Sequence, residues 1–280
     1  MTHFPANETV DPRPRVAQDQ DAATGDTLEM LGTLAPDAPA PGLGAPDIRG
    51  LTQAYLSAID RVVAAEVNLT ARLLTRVAPE HRRRWADRWI RDLTCATTAS
   101  LHALHAARLA PRITRLVDLP NDPNAGPRSV AFVDLRGSTA YMADHDTPAI
   151  RALIDGMFAA AQRITRDHDV AVAKHLGDGV MLVGLDPAEM LAAGRAAARE
   201  MARTTPLTAG VGIDFGALTT RAGDYFGTPV NRAARLAELA QPDEVVLSET
   251  AVPEPAPAGT WRDVAIRGLP RPVRALTVRA

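Results

Sequence analysis

The chain has 280 residues, a formal charge of −2 and an isoelectric point near 6.4, a length that suits one large domain or two ordinary ones. Near-neutral charge excludes an overall basic surface for nucleic acid, so no nucleic-acid partner is expected. No window approaches the ~18 uncharged apolar residues of a membrane helix, and the opening Met1-Thr2-His3-Phe4-Pro5 lacks the basic and apolar regions of a signal peptide.

A single cysteine, Cys95, cannot close an intrachain disulfide, which suits a reducing, cytoplasmic setting. Its expected place is a small buried apolar position. Of the 31 basic residues, Lys174 alone is lysine. Lysine is a compact point charge on a thin stem where arginine is a planar fork, so a narrow pocket can demand it.

Residues 1–45 carry two arginines against seven acids and several prolines and glycines, too little apolar surface to order themselves. They are expected to form a disordered acidic tail. Residues 46–118 reverse the balance, with twelve arginines against seven acids between Asp47 and Asp118. Leu56, Val63, Val67, Leu74 and Val77 recur at helical spacing, as do Trp89, Leu93, Leu101 and Leu104. Two long helices separated at Pro79 are expected, and because two helices make a poor core they should pack on the rest of the chain, on a partner, or both. A regulatory or dimerisation role follows. The run His81-Arg82-Arg83-Arg84 reads as a solvated helix face, and His81, His102 and His105 as surface histidines. Pro111 and then the stretch from Pro120 to Pro127 end the periodicity, placing a linker at residues 119–127.

From residue 128 strands and helices alternate. Val130-Ala131-Phe132-Val133 is a strand ending at Asp134, and Thr147-Pro148 offers an N-cap for a helix reaching Asp167. Residues 170–176 and 180–185 are strands joined at Gly177-Asp178-Gly179, a hairpin signal. Asp186-Pro187 opens a helix reaching about Arg203, and residues 207–215 form another strand. Strand, helix, strand, strand, helix, strand is the ferredoxin-like βαββαβ order of an α+β domain. In that topology Asp134 and Asp178 come together. Two carboxylates at adjoining strand ends can hold divalent cations together with substrate phosphates, and Arg136-Gly137-Ser138-Thr139 can turn backbone N–H groups toward those phosphates.

Three blocks then carry a resemblance: Phe132-Val133-Asp134-Leu135-Arg136-Gly137-Ser138-Thr139, Lys174-His175-Leu176-Gly177-Asp178-Gly179, and the run from Gly223 to Leu236 that includes Asp224, Asn231 and Arg235. In order and spacing they resemble the signature blocks of class III adenylate cyclases of the bacterial, short-armed type. Residues 266–274 resemble that family's C-terminal strands, and the likeness spans residues 128–280. It implies a homodimer converting ATP to cyclic AMP with two Mg2+ or Mn2+ per active site. It also implies that Asp134, Asp178 and the Leu135 carbonyl bind metal, that Gly137, Ser138 and Thr139 meet phosphate, and that Lys174 and Asp224 read adenine. Asn231 and Arg235, which their spacing of four puts on one helix face, would orient the ribose and stabilise charge at the α-phosphate.

Arg136 departs from the apolar residue often found at its position; phosphate contact and solvent exposure both stay open for it. Arg267 and Arg271 are candidates for the terminal phosphates. A catalytically silent nucleotide-binding relative and a guanylate cyclase are the alternatives, the second disfavoured because the Lys174 and Asp224 donor and acceptor suit adenine.

Overall fold

The structure is a computed structural model and describes residues 45–117, 127–221 and 223–280. The expected acidic tail and all but the end of the expected linker lie outside those residues. The chain divides into two compact units, Met1–Thr94 and Cys95–Ala280. Among the described residues no helix is long and apolar enough to cross a membrane.

In the first unit, helix α1 (Ala45–Leu74) is followed by a short 3-10 turn at Pro79–His81 and the start of α2 (Arg82–Val117). The expected break at Pro79 is present. Leu56, Leu74, Val77, Trp89 and Leu93 are half-buried. Trp85 and Trp89 stack at 5.4 Å, and Trp89 Nε1 donates to Thr70 Oγ1 at 2.8 Å. Val63 and Val67 of the expected stripe are exposed.

Three expectations about α2 are corrected. The helix continues through Pro111 to Val117; a proline deletes one N–H bond and crowds one carbonyl, and the helix formers before it, Ala106-Ala107-Arg108-Leu109-Ala110, carry the backbone past it. Cys95 is exposed, not buried, because it lies off the side of the helix that carries half-buried Trp89, Leu93 and Thr97. Leu101 and Leu104 are also exposed, whereas His81, His102 and His105 are exposed as expected.

The second unit is built on a seven-stranded sheet of order β2-β3-β1-β4-β7-β9-β8. Its strands are β1 (Pro127–Leu135), β2 (Val170–Leu176), β3 (Gly179–Gly184), β4 (Ala209–Ala217), β7 (Glu244–Ser248), β8 (Thr260–Val264) and β9 (Val273–Arg279). The first four give the ferredoxin-like order, with β1 antiparallel to both β3 and β4. A separate two-stranded hairpin pairs β5 (Thr219–Arg221) with β6 (Asp224–Phe226). One face of the sheet is covered by α4 (Thr147–Asp167) and α5 (Pro187–Thr204). There Met157, Ile164, Met190 and Met201 close over Val133, Val211 and Ile213.

Asp146, not Thr147, caps α4, its carboxylate accepting from the Ala149 N–H at 3.0 Å. An aspartate one residue upstream reaches the third N–H and leaves Thr147 and Pro148 inside the first turn. Asp186 caps α5 through the Ala188 N–H at 2.9 Å.

The opposite face carries α6 (Thr228–Leu239). Glycines 210, 212 and 216 alternate along β4 with Asp214, so all four positions lie on one face. A Cβ at Gly212 would lie 2.7 Å from the Leu236 carbonyl carbon, and one at Gly216 2.9 Å from Pro229 Cγ. The helix therefore lies directly on strand backbone. Residues 266–274, expected as strands, form mainly the loop between β8 and β9: Gly268 has φ +91°, and Pro270 and Pro272 have no N–H to give a ladder.

Candidate active site

Asp134, next to last in β1, lies opposite Gly179 and Gly210. The Leu135 N–H donates to the Asp178 carbonyl at 3.2 Å, so the two aspartates meet as the topology requires. Gly177 takes the left-handed φ of +60° in the turn before Asp178. Burial pushes the Asp134 carboxyl above its ordinary value, Arg136 opposes that shift, and the negative charges of Asp178 and Glu238 add to it. Two carboxylates that repel one another at a strand edge are the donor set a divalent cation would relieve. Among the described residues no cluster of three or more His, Cys, Asp or Glu side chains forms a metal site. Such a cation would complete its shell from backbone and substrate oxygens.

Gly137, at φ +74°, turns the chain into the short helix α3 (Ser138–Asp144). Gly137 and Thr139 are exposed, whereas Ser138 is buried and its hydroxyl donates to an Asp178 carboxylate oxygen. Ser138 thus orients an aspartate through its side chain.

Lys174 on β2 and Asp224 at the start of β6 form a closed pair, with Nζ 2.9 and 2.8 Å from the two carboxylate oxygens. Asp224 also accepts from the Tyr225 N–H at 2.8 Å. Partial burial acts to raise the Asp224 carboxyl, but the Lys174 hydrogen bond, the Tyr225 N–H and the Lys174 charge outweigh it and hold it below its ordinary value.

Asn231 and Arg235 share one side of α6 and line a cavity of about 510 Å³ with Thr228, Glu238, Arg267 and Gly268. Arg235 pairs with Glu238 at 2.5 Å. Of the two arginines proposed for terminal phosphates, Arg267 lines this cavity while Arg271 lines a neighbouring one of about 300 Å³.

Two features of the site escaped sequence reasoning. Arg136 reaches neither phosphate loop nor open solvent: its guanidinium donates to the carbonyls of Ala237 and, at 3.4 Å, Glu238 at the end of α6. It also lies 3.4 Å from the Asp134 carboxylate. Asp214, fully buried on β4, accepts from Arg232 of α6, from Ser248 and, at 2.9 Å, from Thr250. The alternating glycines of β4 were the available signal that a helix lies close there.

Residues 123–254 match the family described as the adenylate and guanylate cyclase catalytic domain. An adenylate cyclase of Streptomyces griseus is 28% identical over 227 residues, 80% of this chain and 50% of that protein. One of Streptomyces coelicolor is 30% identical over 150 residues, 52% of this chain and 39% of that protein. The chain thus spans half or less of the length of these curated relatives. The catalytic core of a rhodopsin-guanylyl cyclase with converted specificity, in complex with ATPαS, shares the fold. Its TM-score is 0.51 at 14% identity, over 56% of this chain and 96% of that one. Residues 123–254, a little under half of the chain, thus match the adenylate and guanylate cyclase catalytic domain in sequence, and the fold is the one seen in that solved cyclase core.

Proposed function

We propose that the chain is an adenylate cyclase converting ATP to 3',5'-cyclic AMP and pyrophosphate. The observation that carries this reading is the Lys174–Asp224 pair, held at 2.8 to 2.9 Å. An ammonium donates to adenine N1 and a carboxylate accepts from the N6 amino group. Guanine, with N–H at N1 and a carbonyl at C6, leaves both groups mispaired at about 1–3 kcal/mol each.

In the reaction the ribose 3'-oxygen attacks the α-phosphorus and pyrophosphate leaves in line. Asn231 orients the ribose, and Arg235 presents its guanidinium to the charge that develops at the α-phosphate. Backbone N–H groups of Gly137, Ser138 and Thr139 hold the phosphates, with Arg267 the favoured partner of the terminal ones. Asp134, Asp178 and the Leu135 carbonyl would hold two divalent cations, Mg2+ or Mn2+, which when bound supply Lewis acidity at the attacking hydroxyl and positive charge along the triphosphate. In this reading two copies of the chain build each site. The aspartates come from one, and Lys174, Asp224, Asn231 and Arg235 from the other; residues 128–280 are the catalytic domain and residues 46–118 a regulatory or dimerising region. In this reading the enzyme works in the cytoplasm, in keeping with its single cysteine.

Purified protein incubated with ATP or GTP and either Mg2+ or Mn2+, beside an Asp134→Ala control, tests this directly. Cyclic AMP from ATP, lost in the control, is the expected result. Cyclic GMP as the main product would make it a guanylate cyclase, and nucleotide binding without any product would make it a silent relative.

A further inference from the structure

We propose that Arg136 is a fixed counter-charge to Asp134. It keeps the Asp134–Asp178 carboxylate pair from taking up a divalent cation tightly on its own, so that the cation enters together with the nucleotide's phosphates. The inference rests on the cyclase reading and concerns how that same site is loaded.

Three observations on different elements support it. The guanidinium lies 3.4 Å from Asp134 Oδ2 but makes no hydrogen bond to it; its two terminal nitrogens donate instead to the carbonyls of Ala237 and Glu238, while its buried Nε has no partner. Carbonyls at a helix C-terminus carry partial negative charge and suit a cation, so the group is anchored to the helix end while it lies beside the carboxylate. Its side chain is only 23% exposed, and the space it fills exists because residue 210 is glycine: a Cβ there would lie 2.7 Å from Nε and 2.8 Å from Cζ. Swinging Arg136 out to admit a metal would break both helix-end contacts. The positive charge therefore stays beside the carboxylate when a dication approaches.

Its effect on affinity can go two ways, and the contacts decide between them. A neighbour that hydrogen-bonds a ligand orients it and strengthens metal binding. Arg136 gives Asp134 charge without a hydrogen bond, so repulsion of the incoming cation dominates. A triphosphate brings negative charge enough to reverse the balance. Loading then follows nucleotide arrival rather than preceding it.

Mn2+ binding to the full-length protein, read by electron paramagnetic resonance without nucleotide, tests the idea independently of turnover. Arg136→Gln removes the charge and keeps an amide donor for the helix end; Arg136→Leu removes both and serves as a second variant. Each is expected to bind free Mn2+ about tenfold more tightly than the wild type, with the gap closing when a non-reactive ATP analogue is present. The gain should vanish when Asp134→Ala is added to Arg136→Gln. Wild-type affinity in both neutral variants, with the Asp134→Ala change still lowering binding in the presence of the analogue, would overturn the role of Arg136 and leave the metal site standing. No Asp134-dependent Mn2+ binding in any variant, with or without analogue, would remove the metal site and this inference together.

Discussion

The Asp214 carboxylate on β4 and the Arg232 guanidinium on α6 form an ion pair in which the acid is fully buried and the base 22% exposed. Ser248, Thr250 and the Phe215 N–H complete the acceptor shell of Asp214. A buried charge that loses its partner is strongly destabilising, whereas a satisfied pair is close to neutral. Arg232→Ala is therefore expected to lower unfolding free energy by about 3–5 kcal/mol, measured by urea denaturation. A change under about 1 kcal/mol would mean that Asp214 is satisfied without Arg232.

Arg235 and Asn231 stand exposed on the same side of α6, and removing either should leave the fold intact. Arg235→Ala is expected to reduce kcat by about 100- to 1,000-fold with little change in KM, as when a donor to developing transition-state charge is lost. Steady-state kinetics at saturating metal decide it. A rise in KM alone would make Arg235 a ground-state binding group.

Selectivity should move with the Lys174–Asp224 pair. Lys174→Arg places a planar fork where a point charge fits, and kcat/KM for ATP is expected to fall roughly 5- to 150-fold, the equivalent of about 1–3 kcal/mol. The ATP-to-GTP ratio, measured in competition, should fall with it; an unchanged ratio would assign base reading to other residues.

The pH response of Asp224 has a definite sign. Its carboxyl is held below the ordinary 3.8, so the pair contributes stability above that pH and loses it only as pH falls through the lower folded value. A carbon-13 carboxyl titration should place the Asp224 midpoint below its ordinary value, and Lys174→Met should move that midpoint up toward it. A midpoint indifferent to Lys174 would contradict the closed pair.

Gly212 supports α6 with bare backbone. Gly212→Ala is expected to cost about 1–3 kcal/mol of stability through overpacking, and to lower kcat by displacing Asn231 and Arg235. Substituting Gly268, whose added Cβ meets nothing within 4 Å, should not produce the same loss of packing, although its φ of +91° strains any side chain. Thermal melts and kcat for the two variants separate crowding from backbone strain.

Much of this was legible in the chain because it rests on period and punctuation. The apolar run before Asp134, the Gly177-Asp178-Gly179 turn and the capped helices fix the βαββαβ order, and that order brings Asp134 to Asp178. What escaped were features with no local signal. The seven-residue helix after Gly137 and the three-residue strands β5 and β6 are too short to show a period. Arg136 meets α6 across 101 residues of sequence, and Asp214 meets Arg232 through tertiary packing alone. Pro111 misled for the opposite reason, a strong local preference giving way to helical context, and the likeness of residues 266–274 to strands gave way to a glycine and two prolines.

Helix α6 is fastened at three levels by three different means: Pro229 over Gly216 at its start, Arg232 to buried Asp214 in its middle, and Arg136 across its last carbonyls. A rod pinned along its whole length cannot pivot, slide or unwind locally without breaking a buried contact. Asn231 and Arg235 therefore travel only as cargo of the sheet beneath them. In the two-copy site proposed above, opening or closing of the cleft would be a movement of one intact sheet-and-helix slab past another, and a signal would act by changing how two slabs meet rather than by reshaping either.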